Sequence, residues 1–256
     1  MPTYRLTIAY DGSGFFGYAK QPQVRTVQGD LEAALFLHTG TVDTVVAGRT
    51  DKGVHATEQV ISFRAEELDG QRVQRSLNSM LAPNIAIRRI ARVDGGFHAR
   101  FSATGRAYVY RIHNAAVHDP FLTPVMWTYE PQLDAVAMDA AAQCLVGEHD
   151  FAAFCRKRGD APMVRRVEWV RWRRSADVVE MSIGANAFCH QMVRSVVALS
   201  VEIGTGRMEV ADMQRVLDSG DRAIAKGAAP PQGLTLVAVS YGDESLPRPL
   251  WIPETS

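Results

Sequence analysis

Thr44-Val45-Val46-Ala47-Gly48-Arg49-Thr50-Asp51-Lys52-Gly53-Val54-His55-Ala56, with Gln59-Val60-Ile61-Ser62-Phe63 close behind, is an apolar run, a charged loop and a second apolar run. Short β-branched runs bounded by glycine read as buried strands, so the stretch predicts strand, loop, strand. Gly48 and Gly53 bracket the loop and tolerate tight or left-handed backbone, which puts Asp51 at an apex with few alternative conformations. Arg49 and Lys52 stand beside it. A carboxylate presented between two cations suits a nucleophile or an electrostatic stabiliser better than a general acid. The plain alternative is a turn residue, the commonest use of an Asp between glycines.

Outward from that loop the same order of elements appears twice. A strand near residues 4–10 leads to a helix beginning at Thr26, with Leu31, Leu35 and His38 on one side and Asp30 and Glu32 near its N-terminus. After the two strands around the loop come a helix through Val73, Leu77 and Leu81, stopped by Pro83, and a strand over residues 85–93. The second half opens on the alternating Ala107-Tyr108-Val109-Tyr110-Arg111-Ile112. In it, Leu133, Val136, Ala137, Ala140, Ala141, Cys144 and Leu145 recur at helical spacing, with Gly147 as the stop. A hairpin over residues 166–173 and 178–185 turns at Ser175-Ala176-Asp177. A helix through Met192, Val196, Leu199 and Ile203, a shorter one at residues 213–217 and a strand at residues 234–241 follow. Both halves read βαββαβ. The expectation is an α+β protein of two ferredoxin-like halves, residues 1–103 and 104–243, with an irregular tail over 244–256. The halves would join edge to edge in a mainly antiparallel sheet, helices on one face and a cleft for a large ligand on the other.

Composition removes several classes. The chain has 256 residues, 46% hydrophobic and 22% charged, an ordinary globular mix able to bury a substantial core. Residues 1–10 carry no basic stretch leading into an apolar segment, so no signal peptide is expected, and no apolar stretch is long enough to span a bilayer. Cys144, Cys155 and Cys189 form no CxxC pair. They read as small buried hydrophobes in a reducing compartment rather than metal ligands, and a cytoplasmic location is expected. The net charge of +0 hides a polarised pattern. Residues 112–155 contain no Lys or Arg, whereas Arg156, Lys157, Arg158, Arg165, Arg166, Arg171, Arg173 and Arg174 follow at once, and Arg88, Arg89, Arg92, Arg100, Arg106 and Arg111 form an earlier group. Arginine with interleaved Tyr108, Tyr110, Trp169 and Trp172 fits RNA phosphates and bases, and equally fits salt-bridged sheet faces. Gly12-Ser13-Gly14-Phe15-Phe16-Gly17 matches a dinucleotide fingerprint, but Lys20-Gln21-Pro22-Gln23 separates it from any helix, so no nucleotide cofactor is expected. Glycines there serve instead for close approach to a ligand or a neighbouring loop.

From end to end the chain resembles the tRNA pseudouridine synthase A family. The resemblance rests on Tyr10-Asp11-Gly12 with Gly17, Arg25-Thr26-Val27-Gln28, Gly48-Arg49-Thr50-Asp51 with Gly53-Val54-His55, and Phe97-His98-Ala99-Arg100-Phe101-Ser102-Ala103-Thr104. It continues with Tyr108 and Tyr110, Ala187-Phe188 through His190, Met192-Val193-Arg194, and residues 233–241. It implies isomerisation of uridine to pseudouridine at positions 38, 39 and 40 of the tRNA anticodon stem-loop, by a homodimer without cofactor or metal. It also implies that Asp51 is the nucleophile, that Arg194 pairs with it, that Tyr108 meets the target base or ribose, and that the cleft receives RNA. Arg49 is a candidate for phosphate anchoring or insertion where the base leaves the stack. His55 and His98 are expected as structural hydrogen-bond partners. Tyr18 stands where many members have tryptophan, and Ala198 where glycine is common. An RNA-binding protein without turnover is the alternative, and it would have no need of Asp51, Tyr108 and Arg194 together.

Overall fold

The structure, a computed structural model, describes residues 1–40, 42–156, 163–249 and 251. Lys157 and Arg158 of the second basic block lie outside the described residues, as does the end of the expected tail. The chain divides into two compact units, Met1–Thr104 with Thr235–Glu244, and Gly105–Leu234 with the tail from Ser245.

The first unit begins with β1 (Thr3–Tyr10), α1 (Val27–Thr39), β2 (Val45–Val46), β3 (His55–Arg64), α2 (Gly70–Leu81) and β4 (Ile85–Val93). Its strands run β4-β1-β3, with β2 also on β3, and every one of these pairings is antiparallel. Thus α1 carries the chain from β1 past β3 to β2, and α2 carries it from β3 past β1 to β4, two interlocked split βαβ units. The local chemistry explains both helices. Thr26 caps α1 by accepting from Gly29 N, and Val27, Leu31, Ala34 and Leu35 form its buried stripe. Asp69 caps α2 by accepting from Arg72 N, and Val73, Leu77 and Leu81 bury one face. Ala82 is extended, as a residue before proline prefers, and the helix ends there. Leu31, Leu35 and Leu77 are fully buried, each stabilising the fold by about 2 kcal/mol relative to an exposed position. The strand expected before Gly48 is shorter than its apolar run, and β3 starts two residues before Thr57.

The second unit contains β5 (Ala103–His113), β6 (Trp127–Thr128), α3 (Ala135–Ala142), β7 (Gly147–Asp150), β8 (Val164–Ser175), β9 (Val178–Ala185), α4 (Met192–Gly204) and α5 (Asp212–Ser219). Its strands run β5-β9-β8-β7, all antiparallel, and β6 lies parallel to the end of β5. The β8–β9 turn is the expected one, with Ala176 at φ 49°. The last strand, β10 (Leu234–Tyr241), returns to the first unit and pairs parallel with β3 at Thr235↔His55 and Leu236↔Ala56. The protein is α+β, its strands mostly antiparallel, with five α-helices among the described residues. None of those helices is long and apolar enough to cross a membrane.

Three expectations are corrected. The helix read from Leu133 to Leu145 is α3 plus a 3₁₀ turn, Gln143–Leu145. Asp134 accepts from Val136 N and Ala137 N and so starts the helix after Leu133, which turns Met138, Ala141 and Ala142 inward and leaves Val136 80% exposed. Gly147, expected as the helix stop, has φ 110° and opens β7, a polar strand the sequence pattern did not announce. Cys155 and Cys189, read as thiols, form a disulfide with Cα atoms 5.7 Å apart, and Arg156 N donates to His190 O between the same two segments. Cys144 is free.

Candidate active site

The four residues expected to carry the chemistry fall on both units: Arg49 and Asp51 on the first, Tyr108 and Arg194 on the second.

Asp51 sits in the loop between β2 and β3, and three neighbours fix that loop. From below, Tyr10 at the end of β1 reaches Thr50 Oγ1 at 2.8 Å, while Gln59 on β3 donates to Tyr10 Oη at 3.3 Å and to the Gly48 carbonyl at 2.8 Å. Burial pushes the Tyr10 phenol up to about 12, against the hydrogen bonds to Thr50 and Gln59, so it stays a neutral donor. From the side, the segment after β1 folds against the loop: Tyr18 N donates to the Thr50 carbonyl at 3.0 Å. Within the loop, Val54 N donates to the Asp51 carbonyl at 3.1 Å and Gly53 takes φ 79°. Asp51 itself is half-buried and Arg49 is exposed.

Gly12 and Gly17 make this contact between segments. A Cβ on Gly12 would overlap the Val54 carbonyl oxygen, and one on Gly17 would lie 3.1 Å from Thr50 O and 3.4 Å from Asp51 C. Gly17 also has φ 99°, where a side chain is strained. The dinucleotide-like glycine pattern is therefore a socket for the Asp51 loop. His55 completes it. Its Nδ1 accepts from Gly12 N at 3.0 Å. The Asp11 carboxylate, 3.2 Å from the same Nδ1, is satisfied by Ser13 N and Ser13 Oγ. His98 has a similar local duty, its Nδ1 accepting from Arg100 N and Phe101 N. Both histidines are structural partners, as expected. Tyr10 and Gln59 were not foreseen as loop supports. Their signal was a polar side chain at an inward strand position, and Gln59 is 0% exposed.

On the second unit, Tyr108 lies in β5 opposite Ile183 of β9 and is 8% exposed. Phe188 meets its ring edge-on at 5.1 Å. The segment carrying Phe188 is held by Asn186 Oδ1, which accepts from Arg166 N and Ala187 N, and by the Cys155–Cys189 link. Gln191 then enters α4 at φ 68°, and Arg194 is one turn into that helix. Arg194 Nε donates to the Ala229 carbonyl at 2.6 Å, and Ala229 N returns a bond to the Arg194 carbonyl at 2.9 Å. The guanidinium is half-buried and lies close enough to Tyr110 to act on its phenol electrostatically.

The arginine-rich segments resolve into two kinds. Arg111 and Arg173 share Glu180, Arg171 pairs with Asp139, Arg166 with Glu168, and Arg174 donates to Asn114 Oδ1 and the Leu133 carbonyl. Arg92 pairs with Glu67. Arg88, Arg89 and Arg49 are exposed, and no ion pair holds them among the described residues.

Asp51 is thus a half-buried carboxylate on a loop whose backbone neighbouring segments fix by hydrogen bonds. The comparisons with known proteins give the particular family. A sequence model described as tRNA pseudouridine synthase matches residues 6–102 and 141–242. The chain is 38% identical to tRNA pseudouridine synthase A of Leifsonia xyli subsp. xyli, covering 93% of this chain and 91% of that one. It is 41% identical to tRNA pseudouridine synthase A of Aeromonas hydrophila subsp. hydrophila, covering 98% of this chain and 96% of that one. A solved chain from a Cbf5-Nop10-Gar1 complex is similar at 11% identity and TM-score 0.36, over 93% of this chain and 50% of that chain. The chain belongs to the tRNA pseudouridine synthase family. It is an isomerase that acts on tRNA.

Proposed function

We propose that this protein converts uridine to pseudouridine at positions 38, 39 and 40 of the tRNA anticodon stem-loop, with Asp51 as the nucleophile. The observation that carries the reading is the socket around residues 50–54, which holds one carboxylate at a loop apex through contacts from Gly12, Gly17, Tyr10 and Tyr18. Held in that way, the carboxylate adds to the extruded nucleoside, the C1′–N1 bond breaks, the base turns, C1′ bonds to C5 and the bond to the carboxylate breaks again, while the proton lost from C5 is matched by one gained at N1. Nothing is oxidised or reduced, so the reaction needs no redox carrier. By resemblance, Arg194 is the cation that partners the carboxylate and orients it. Tyr108 meets the extruded uracil and keeps water from it. Arg49 holds phosphate or fills the space the base leaves. The working form is a cytoplasmic homodimer.

Incubation with unmodified anticodon stem-loops, followed by mapping of new pseudouridine, tests the reading. Pseudouridine at positions 38–40 that vanishes in Asp51→Asn, with RNA affinity kept, supports it. Full activity in Asp51→Asn removes Asp51 from its role, and modification confined to other positions removes the assigned target.

A further inference from the structure

Two consecutive phenylalanines in the socket segment have opposite fates. Phe15 is 1% exposed, and Arg25 lies over its ring at 4.5 Å while committed to Asp30 at 2.8 Å. Phe16 is 48% exposed, and Lys52, the residue after the candidate nucleophile, holds its ammonium 4.0 Å from the ring centroid. Phe16 is not displayed on a loose tip. Its backbone N donates to the Arg25 carbonyl at 2.9 Å, and its own carbonyl accepts from Gln21 Nε2 at 3.1 Å. The next residue, Gly17, packs against the backbone of Thr50, Asp51 and Lys52. Phe16 is therefore a half-exposed ring on a backbone held against the Asp51 loop, with exposed cations at Lys52 and Arg49 and no carboxylate on either among the described residues.

We propose that Phe16 is a substrate-contact residue on which an unpaired nucleobase next to the target uridine stacks, with Lys52 released from the ring to the adjoining phosphate. An extruded uridine leaves its neighbours short of a stacking partner, and a fixed aromatic ring beside the nucleophile replaces it. Arginine at Arg25 is tied to a carboxylate and covers the ring of buried Phe15, whereas Lys52 meets the Phe16 ring and no carboxylate among the described residues, and so carries the freer charge. The proposal rests on the reading of this loop as the tRNA uridine isomerase site, and it adds to that reading a contact that orders the RNA around the target.

The test uses the full chain and an unmodified anticodon stem-loop carrying 2-aminopurine at each unpaired position in turn. The wild type is expected to change the fluorescence at one position adjacent to the modified uridine, and Phe16→Ala to abolish that change. In steady state, Phe16→Ala should raise KM by roughly 5- to 100-fold, the range seen when a stacked base loses its aromatic partner, with kcat within about threefold. Phe16→Trp should restore KM and the fluorescence signature, and Phe16→Leu, which keeps the bulk but not the π face, should not. An unchanged KM and signature in Phe16→Ala overturns the proposal, as does full rescue by leucine. Asp51→Asn is run alongside: loss of turnover with the signature intact supports both readings. Retained turnover there rejects the role of Asp51 and leaves the Phe16 result to be judged by its own signature.

Discussion

The loop from Gly48 to Val54 and the β8–β9 hairpin are both dense in charge, yet their charges do opposite work. On the hairpin, Arg171 and Arg173 end on carboxylates within the same unit, Arg111 of neighbouring β5 shares Glu180 with Arg173, and Arg174 ends on an amide oxygen and a carbonyl. Around the loop, Arg49 and Lys52 remain exposed, while the backbone beneath them is fixed by neutral groups, Tyr10, Gln59 and two glycines. A charge held by a charge serves the fold. A charge left in water beside a rigid backbone is ready for a ligand. Arginine density in the sequence does not separate these cases, because the deciding carboxylates, Glu180 and Asp139, arrive from other elements.

The contrast can be broken by substitution. Asp51→Asn keeps size and shape, so unfolding should shift by no more than about 1–2 kcal/mol through the lost charge, while kcat falls on the order of 10⁴-fold, the scale at which enzymes lose a nucleophile. Gly12→Ala pushes a methyl group into the Val54 carbonyl oxygen. It should cost about 2–4 kcal/mol in urea unfolding, because backbone on one side must move, and activity should fall with it. Glu180→Gln releases Arg111 and Arg173 from a carboxylate that is itself buried. Loss of about 1–3 kcal/mol of stability is expected with tRNA affinity unchanged, since both arginines are already committed to a carboxylate of the fold.

A smaller effect sharpens the contrast directly. Removing Arg88 and Arg89 together should lower the slope of log affinity against log salt by about 1 for each phosphate they neutralise, whereas Arg171→Ala should leave the slope alone. Equal slopes in all three proteins would erase the distinction between the two kinds of arginine. The smallest expected effect concerns Glu32. Burial raises its carboxyl, but hydrogen bonds from Thr44, Gln28 and Lys20 outweigh this and hold it below the usual glutamate value. With the folded value lowered, its contribution is present above the unfolded glutamate value and is lost as pH falls through the folded one. Glu32→Gln should flatten the acid limb of a stability–pH curve slightly, and leave the neutral region unaltered in slope.

Most of the element order was legible because buried helices and strands carry their own periodicity: Val73, Leu77 and Leu81 admit one face, and the run after Met192 another. What periodicity cannot show is where a cap starts a helix, and Asp134 moved the register of α3 so that Val136 faces solvent. β7, Gly-Glu-His-Asp, has no apolar alternation and exists through its pairing with β8. The Cys155–Cys189 link depends on tertiary proximity alone. Asp51 stood out through its bracketing glycines, but its supports did not. Gly12 and Gly17 imitate a phosphate-binding motif until the loop they touch is known, and Phe16 looks like its buried neighbour until the backbone shows which ring faces out.

The parallel pairing of Thr235 with His55 ties the exit of the Asp51 loop to a strand near the far end of the chain. At translation Thr235 follows His55 by 180 residues (235 minus 55), so this pairing closes long after the strand it joins has been made.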